Sequence, residues 1–416
     1  MKLLIATYGT EGDVRPLAVL ARRWMAAGHE VLLLADRATL GGPMHSGVPC
    51  MALEGDIRGE LGSETSIAGV VGTHRGARST ARALASIASR QAESWLHAVI
   101  EAGRDADAIV GSGLAVFSAL SAGEHLRLPV VGASFIPITP TSAFASPFLR
   151  PSRWPGFVNR ASHRIVNDLV WRSVRDACNS ARRRVAGLAP RREPWTEHPV
   201  LYGISPTLLP RPYDWPAQVE LCGQWADRTV DWNPPPALAA FLADGPPPVY
   251  VGFGSMTGFD RAAVWRTTLD ALRGRRALLA PGWAGLSGVT IPRDAFVVDE
   301  SPHEALFAHV CAVVHHGGSG TSHSAARAGL PSVVVAFAGD QEFWGSLLAA
   351  AGIAAPPLSA QRLDPGKLAQ AIDHAQRDDV RARARSIGAA MQCEDGTTRA
   401  VEILEEHIAL QPRAFA

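Results

Sequence analysis

Short apolar runs alternate along the chain with longer stretches in which apolar residues recur every three or four positions. The first half begins with an apolar strand at 2–7, a glycine-bearing loop at 9–13, a helix-type stretch ending at Ala27 and a strand at 30–35. Further strands are predicted at 108–111 and 129–133. Such alternation is typical of a parallel sheet covered by helices on both faces. The first half is therefore predicted to form one doubly wound α/β domain.

A second alternation of the same kind follows, with strands predicted at 249–254, 276–280, 295–299, 311–315 and 333–337. Proline-rich segments at 231–236 and 245–248 separate the two halves, and proline stiffens a connection and breaks helices. The predicted domains are 1–230, a linker at 231–248, 249–396, and a terminal helical segment at 397–416. The predicted fold class is α/β, with two facing doubly wound, Rossmann-like parallel-sheet domains and a ligand cleft between them.

Length and charge agree with this organisation. A chain of 416 residues exceeds the size of one hydrophobic core. Its 40 Lys and Arg against 39 Asp and Glu give a net charge of +1, so no nucleic-acid partner is expected. We interpret the basic run at 182–184 as a solvated helix face.

Five scattered cysteines without metal-type spacing are expected to be reduced thiols of a cytoplasmic protein. The amino terminus does not read as a signal peptide, and no apolar run approaches the ~20 residues that cross a bilayer. Peripheral membrane contact stays open.

The sequence HHGGSGT at 315–321 lies between an apolar strand and a predicted helix. Glycines let a ligand approach the backbone, and free N–H groups at a helix N-terminus favour phosphate oxygens. A diphosphate site is therefore predicted at His315, Gly318, Ser319, Gly320 and Thr321. An ordinary tight connection is the alternative. Zinc is disfavoured because adjacent histidines on a strand point to opposite faces and no Cys or acidic ligand accompanies them, so neither a metal nor a cofactor is predicted.

Two more loops follow predicted strands of the second half. Asp340 and Gln341 combine a carboxylate and an amide, which suits a polyhydroxylated sugar, although Asp340 could equally be a helix N-cap. Ser255 offers a hydroxyl for a second phosphate contact, while its GFGS context is also common in simple turns. Trp283 lies where it could line a nucleoside pocket.

Asp13, in the first loop, is the candidate catalytic base. At the cleft, its carboxylate could take the proton of an attacking hydroxyl while a diphosphate leaves from the opposite face, which inverts the anomeric configuration. The alternative is a helix N-cap, because Asp13 precedes Val14, Arg15 and Pro16. A helix N-terminus is also expected to lower its basicity. The sequence leaves both roles open.

Four stretches follow one another along the chain: TEGDVRP at 10–16, YVGFGSM at 250–256, HHGGSGTSHSAARAGLP at 315–331 and GDQEFWG at 339–345. In this order they resemble glycosyltransferase family one, especially its bacterial glycopeptide-antibiotic and sterol glucosyltransferase branches. The resemblance spans nearly the whole chain, and the third stretch is the most specific.

The resemblance implies the GT-B fold, with Asp13 as the acid-base carboxylate and His315 at the diphosphate. It also implies that Asp340 and Gln341 bind donor hydroxyls, that Val298 borders the base, and that the last helix crosses back to the first domain. The implied function is inverting transfer of a hexose from a UDP- or TDP-sugar to a hydroxyl of a lipophilic small molecule, as in natural-product or antibiotic glycosylation.

Two other functions remain as alternatives. A non-catalytic nucleotide-sugar-binding partner protein would bind donor without transfer, and a GT-B-like nucleotide-sugar epimerase would change the donor alone. An oxidoreductase is disfavoured because no GxGxxG sequence opens the first domain.

Overall fold

The computed structural model describes residues 1–62, 76–151, 154–227, 232–254, 256, 260–282, 285–286, 288–299 and 301–410. Within these ranges the chain forms a seven-stranded and a six-stranded sheet, and every strand pairing is parallel. Helices lie between most of the strands. The predicted α/β class with two parallel-sheet domains is confirmed.

The first sheet has the strand order β3-β2-β1-β4-β5-β6-β7. Helix α1 packs on it through buried residues at helical spacing, including Val14, Leu17, Ala21 and Trp24. The strands are β1 Lys2–Tyr8, β2 Glu30–Asp36, β3 Cys50–Leu53, β4 Ala108–Gly113, β5 Val130–Ser134, β6 Val200–Tyr202 and β7 Val219–Leu221. The helices are α1 Glu11–Ala26, α2 Gly41–His45, α3 Ile57–Gly62, α4 Gly76–Gly103, α5 Val116–Leu126 and α6 Gly156–Ala186.

The second sheet has the order β10-β9-β8-β11-β12-β13. Its strands are β8 Val249–Gly252, β9 Ala277–Ala280, β10 Ala295–Val297, β11 Ala312–His315, β12 Ser332–Ala336 and β13 Leu358–Ser359. The helices of this half are α7 Pro236–Ala243, α8 Arg261–Ala271, α9 His303–Leu306, α10 Ser319–Arg327, α11 Gln341–Ala350, α12 Pro365–Ala375, α13 Asp378–Gln392 and α14 Gly396–Leu410.

Both sheets reverse their strand order next to their first strand. In the first sheet β1 lies between β2 and β4, with Tyr8 beside Gly113, and in the second β8 lies between β9 and β11, with His315 beside Gly252. Loops that leave adjacent strands at such a switch point diverge and open a crevice. The predicted site loops at 9–13 and 315–321 leave the strands at these two positions.

The chain between the two sheets is partly helical, which its proline content did not predict. Helix α7 begins directly after Pro235, and Pro236 is its first residue, where a missing N–H costs nothing. Leu238 packs into a core cluster of the second sheet. Part of the predicted linker is therefore packed on the second domain.

The last helix, α14, packs on the first sheet although it follows the second in sequence. Its residues Ala400, Val401, Leu404 and Ile408 share a core cluster with the first sheet and α1. The chain therefore crosses between the two sheets a second time. In the described part of the chain no helix has an apolar stretch long enough to pass through a lipid bilayer.

Candidate active site

The loop after β1 places Asp13 in the first turn of α1. Thr10 is the N-cap residue, and Asp13 occupies the third helical position. Oδ2 of Asp13 accepts hydrogen bonds from the Thr10 backbone N–H at 2.8 Å and the Thr10 hydroxyl at 3.2 Å. The N-cap position considered for Asp13 thus belongs to Thr10, and Asp13 binds back to it as in a capping box.

Both of these hydrogen bonds end on Oδ2, so Oδ1 of Asp13 accepts none from the described residues. Burial raises the pKa of Asp13 above its ordinary 3.8, although the backbone and side-chain hydrogen bonds from Thr10 lower it. Burial therefore outweighs the lowering of the Asp13 pKa by the hydrogen bonds at the helix N-terminus. A half-buried carboxylate with one free oxygen and a raised pKa is suited to accept a proton.

His315 ends β11 and its side chain is fully buried. Its Nδ1 accepts the N–H of Gly317 at 3.1 Å, while Nε2 has no hydrogen-bond partner among the described residues. Burial lowers its pKa well below 6.5, with smaller contributions from His316 and His303. The ring is therefore neutral, and because Nδ1 accepts, its proton lies on Nε2 as a donor without an acceptor.

The glycine loop ends where α10 begins, with Gly318 as the N-cap residue. The first intrahelical bond in this turn runs from Ser322 N–H to Gly318 O, so the N–H groups of Ser319, Gly320 and Thr321 precede it. These three residues are half-buried or exposed. The predicted diphosphate residues therefore form a helix N-terminus that a ligand can reach.

Gly318 also makes room for a second histidine. A Cβ on Gly318 would lie 2.3 Å from Nε2 of His316, which no side chain could tolerate without displacing the ring. His316 is half-buried, and burial lowers its pKa to about 4. Its ring is nearly perpendicular to that of His315, at 6.5 Å between centroids. Among the described side chains, neither histidine belongs to a group of three or more that could hold a metal ion.

Asp340 occupies the N-cap position of α11, but its side chain makes no capping hydrogen bond. Its Oδ2 instead accepts the indole N–H of Trp344 at 2.6 Å. Burial raises the pKa of Asp340 from 3.8 to about 6, and the negative charge of Asp13 also raises it. The backbone position suits a cap, whereas the carboxylate has a different partner.

Gln341 is buried, and its amide supports the preceding loop. Its Oε1 accepts the N–H groups of Phe337 at 2.7 Å and Ala338 at 3.1 Å, and Nε2 lies 3.1 Å from the sulfur of Met256. The carbonyl oxygen is thus occupied within the protein. Binding of a sugar hydroxyl through Nε2 stays a prediction.

The remaining predicted residues were expected to contact the nucleoside or a phosphate of the donor. Val298 has a buried side chain, and its N–H donates to Leu279 O at 2.9 Å, so it lies next to β9. Ser255 and Trp283 fall outside the described residues, and their predicted contacts stay predictions.

The two walls of the cleft are close enough to interact electrostatically. The charge of Asp13, on the first domain, acts on Asp340, on the second. Arg15, also on α1, acts on His303 and Tyr250, whose side chains meet with 3.2 Å between Tyr250 Oη and His303 Nε2. The structure therefore brings the first turn of α1 near the loop after β12, near Tyr250 of β8 and near His303 of α9.

Part of the chain matches a known domain family, and nearly all of it matches known enzymes. Residues 284–407 match the C-terminal domain of erythromycin biosynthesis protein CIII-like proteins. A sterol 3-beta-glucosyltransferase of Arabidopsis thaliana is 29% identical over 98% of this chain, which covers 66% of the plant protein. The chain spans only 29% of the sterol 3-beta-glucosyltransferase of Aspergillus clavatus. These sterol enzymes are thus longer than the part they share with this chain.

The O-mycaminosyltylonolide 6-deoxyallosyltransferase of Streptomyces fradiae matches from end to end. It is 33% identical over 422 residues, which cover 98% of this chain and 97% of that enzyme. This chain belongs to glycosyltransferase family one.

Solved structures agree with the fold of this family-one chain. The glycotransferase of kitacinnamycin superposes with a TM-score of 0.72 at 17% identity, covering 98% of this chain and 99% of its own. Glycosyltransferase VinC, solved with dTDP, superposes with a TM-score of 0.68 at 19% identity, covering 99% and 100%. The GT-B fold that the resemblance implied is confirmed.

The site of this family-one chain contains residues that the sequence analysis did not select. Arg15 lies within the stretch at 10–16, two residues after Asp13, so its proximity to that motif was a usable signal, whereas His303 lies outside the four stretches. Trp344 is one helical turn after Asp340, at the spacing where helix side chains meet. His323 lies two residues after Thr321, but no local pattern indicates its partner on the first domain.

Proposed function

We propose that this chain transfers a hexose from a uridine or thymidine diphosphate sugar to a hydroxyl of a lipophilic small molecule, with inversion at the anomeric carbon. One observation carries the proposal: the fully buried His315 has an Nε2 without a hydrogen-bond partner among the described residues, directly before the helix N-terminus at Gly318. The candidate base Asp13 and the candidate sugar ligand Asp340 also lie near enough for the charge of Asp13 to raise the pKa of Asp340, although they are far apart in the sequence.

In the proposed reaction, the acceptor oxygen attacks the anomeric carbon as its proton moves to Oδ1 of Asp13. The bond between that carbon and the diphosphate oxygen breaks, and the electron pair leaves with the nucleoside diphosphate. Because attack and departure occur on opposite faces in a single displacement, the configuration inverts. The raised pKa of Asp13 favours its role as base, since a base is most effective when its pKa approaches the working pH.

The leaving group would be stabilised by donors of the chain itself. The partnerless Nε2–H of His315 is a buried donor that a phosphate oxygen would satisfy. The N–H groups of Ser319, Gly320 and Thr321, with the positive end of the α10 dipole, add to this stabilisation. These groups support a metal-independent transfer.

The lipophilic acceptor would lie on the first domain. Helices α4, α5 and α6 enclose an apolar cavity of about 20 Å³, which is room for about one water molecule, so it marks apolar surface near the site rather than space for the acceptor. Trp95, Phe117 and Val174 are among its lining residues, and Leu114, another of them, donates its N–H to Tyr8 O at the end of β1. The cavity thus begins near the loop that carries Asp13. The names of the macrolide and sterol relatives also indicate acceptors of low polarity.

Peripheral membrane contact stays a proposal. The feature that supports it is an exposed apolar side of α6, where Phe157, Ile165 and Leu169 are 78%, 60% and 59% exposed. Sedimentation with phosphatidylcholine vesicles tests it, and a chain that stays in the supernatant would contradict it.

The transferase proposal is tested by incubating the chain with uridine and thymidine diphosphate hexoses and a panel of lipophilic alcohols. Glycosides with inverted anomeric configuration should form, as measured by mass spectrometry and NMR. Donor binding without any product would favour the partner-protein alternative. Conversion of the donor in the absence of acceptor into an epimeric nucleotide sugar would favour the epimerase.

A further inference from the structure

The indole of Trp344 determines where the Asp340 carboxylate points. Trp344 lies one turn after Asp340 on α11 and is fully buried. Its Nε1–H donates to Asp340 Oδ2 at 2.6 Å, whereas the carboxylate makes no capping bond to its own helix. A single short, charge-assisted hydrogen bond thus holds one carboxylate oxygen.

The indole itself is held by two aromatic neighbours. The ring of His323 meets it edge-on, with 5.0 Å between centroids and 71° between planes. The ring of Phe343 contacts it at 5.2 Å and 77°. Neither ring can shift without disturbing a packed interface, so the indole N–H has a fixed direction.

His323 in turn is anchored to both domains. Its Nδ1 lies 2.8 Å from Ser319 O at the start of α10, and its Nε2 accepts the N–H of Ser205, on the first domain, at 3.1 Å. Burial lowers the pKa of His323 to about 4, so the ring is neutral, and Nδ1 carries the proton that Ser319 O accepts. The support of the indole therefore extends to the domain interface.

We propose that Trp344 is a positioning residue for the donor sugar, which holds Oδ2 of Asp340 so that the other oxygen meets a hydroxyl of the transferred hexose. This inference rests on the proposed function. Among the described residues the indole makes no hydrogen bond or ring contact with the glycine loop after β11 or with His315, so the proposal concerns only the sugar.

The protonation state of Asp340 gives the proposal a second readout. The pKa of Asp340 is raised to about 6, and the Trp344 hydrogen bond opposes that rise. Removing the bond should raise the pKa of Asp340 further. More of the carboxyl would then be protonated near neutral pH, and raising the pH would restore the ionised form.

The test is Trp344→Phe, which keeps an aromatic ring against His323 and Phe343 but removes the N–H. Affinity is measured by calorimetry for the nucleoside diphosphate hexose and for the nucleoside diphosphate alone, between about pH 6 and pH 8.5. We expect hexose-nucleotide affinity to fall about tenfold at pH 7, as for loss of a charged hydrogen bond, and the deficit to narrow at higher pH. Affinity for the diphosphate alone should be unchanged.

Trp265→Phe is the matched control. Trp265 is another fully buried tryptophan of the second domain, and its Nε1 has no hydrogen-bond partner among the described residues. This variant should bind both ligands as the unaltered chain does. Asp340→Asn provides a second comparison, because adding Trp344→Phe to it should cost less affinity than Trp344→Phe does alone.

Three outcomes would overturn the proposal. Unchanged hexose-nucleotide affinity in Trp344→Phe would mean that the hydrogen bond does not position the carboxylate. An equal loss for the hexose nucleotide and the diphosphate would assign Trp344 to general support of the domain. Diphosphate binding by the unaltered chain without any gain from the hexose would refute the sugar contact, whereas failure to bind either ligand would refute the proposed function itself.

Discussion

Asp13 binds back to Thr10 through only one of its two carboxylate oxygens. This arrangement combines the two roles that the sequence left open, since Oδ2 stabilises the first turn of α1 while Oδ1 stays available. A carboxylate held at one oxygen has a defined direction, which a general base needs. The same hydrogen bonds lower its pKa, and burial outweighs them.

Asp13→Asn should separate the two roles. The amide oxygen of asparagine can still accept the Thr10 N–H, so thermal stability should stay close to that of the unaltered chain. The amide cannot accept the acceptor's proton, so kcat should fall by about 10²- to 10⁴-fold. Steady-state kinetics with donor and acceptor, together with a melting curve, check both parts. Turnover that equals that of the unaltered chain would remove Asp13 from the catalytic role.

Gly9→Ala should displace the Asp13 carboxylate without touching substrate. A Cβ on Gly9 would lie 2.3 Å from Asp13 Oδ2 and 2.6 Å from its Cγ, so the carboxylate would have to move. A shift of about 1 Å at a catalytic group can cost about 10²-fold in rate. Gly12→Ala is the matched control, because its nearest contact would be 3.7 Å from the Thr10 hydroxyl oxygen. Equal kcat values for the two variants would contradict this account.

Activity should fall in acid because both cleft carboxyls must be ionised. The pKa of Asp13 is raised by burial, and the pKa of Asp340 is raised to about 6 by burial and by the charge of Asp13. Below about pH 6, protonation of Asp340 removes a hydrogen-bond acceptor for the sugar, and protonation of Asp13 as the pH falls removes the base. A profile of kcat/KM for the donor against pH should show this acid limb. Constant kcat/KM down to about pH 5 would argue against it.

Asp214 should contribute stability that is lost in acid. Burial raises its pKa, but hydrogen bonds from the hydroxyl of Thr141, from Arg160 and from Ser142 outweigh burial and hold the pKa well below 3.8. A depressed carboxyl pKa stabilises the fold above the unfolded value of about 4, and this stability disappears as pH falls towards the folded value. Asp214→Asn should therefore destabilise the chain by about 2 kcal/mol at pH 7.

Melting temperatures between about pH 7 and pH 3 measure this effect, and the gap between the Asp214→Asn chain and the unaltered chain should close at the acid end. Asp168→Asn is a suitable control. Asp168 pairs with Arg172, and both side chains are about half exposed, so the pair should contribute little. A gap for Asp214→Asn that is independent of pH would contradict the prediction.

Leu404→Ala should destabilise the first domain although Leu404 follows the second domain in sequence. Its side chain is fully buried in the cluster formed with the first sheet. Removing a buried leucine side chain costs about 2–5 kcal/mol, depending on how far the site collapses. Hydrogen exchange monitored by mass spectrometry should be faster in Leu404→Ala than in the unaltered chain, and this increase should be larger in β1 and α1 than in β11 and α10. Faster exchange confined to the second sheet would disprove the packing proposed for the last helix.

Several short strands were not predicted from the sequence. The strands β3, β6, β7 and β13 are two to four residues long. In so short a segment, the alternation of apolar and polar residues that is typical of a strand cannot be distinguished from the sequence of a loop. They become strands because a neighbouring strand supplies hydrogen bonds, as Val335 and Ala336 do for β13. Their existence is a property of the sheet rather than of the segment.

Arg182 shows that the pattern of charged residues in the sequence does not predict which charges are buried and paired. The basic run around it was interpreted as a solvated helix face, yet Arg182 is only 3% exposed and pairs with Glu124 at 2.8 Å. Glu124 lies on α5, 58 positions earlier in the sequence. The interpretation is wrong for this residue because a charge pattern identifies a basic segment but not the acid that packs against it.

The sequence by itself determined the alternation of strands and helices, the glycine loop before α10, and the position of Asp13 at the start of α1. These features depend on local chemistry: the spacing of apolar residues, the backbone freedom of glycine, and the free N–H groups of the first helical turn, which favour acidic and hydroxyl side chains. Only the tertiary structure decided that Asp13 lies near enough to Asp340 to raise its pKa, and that His323 reaches Ser205. Those relationships join residues through burial and hydrogen bonds whose geometry arises only when the two sheets pack together.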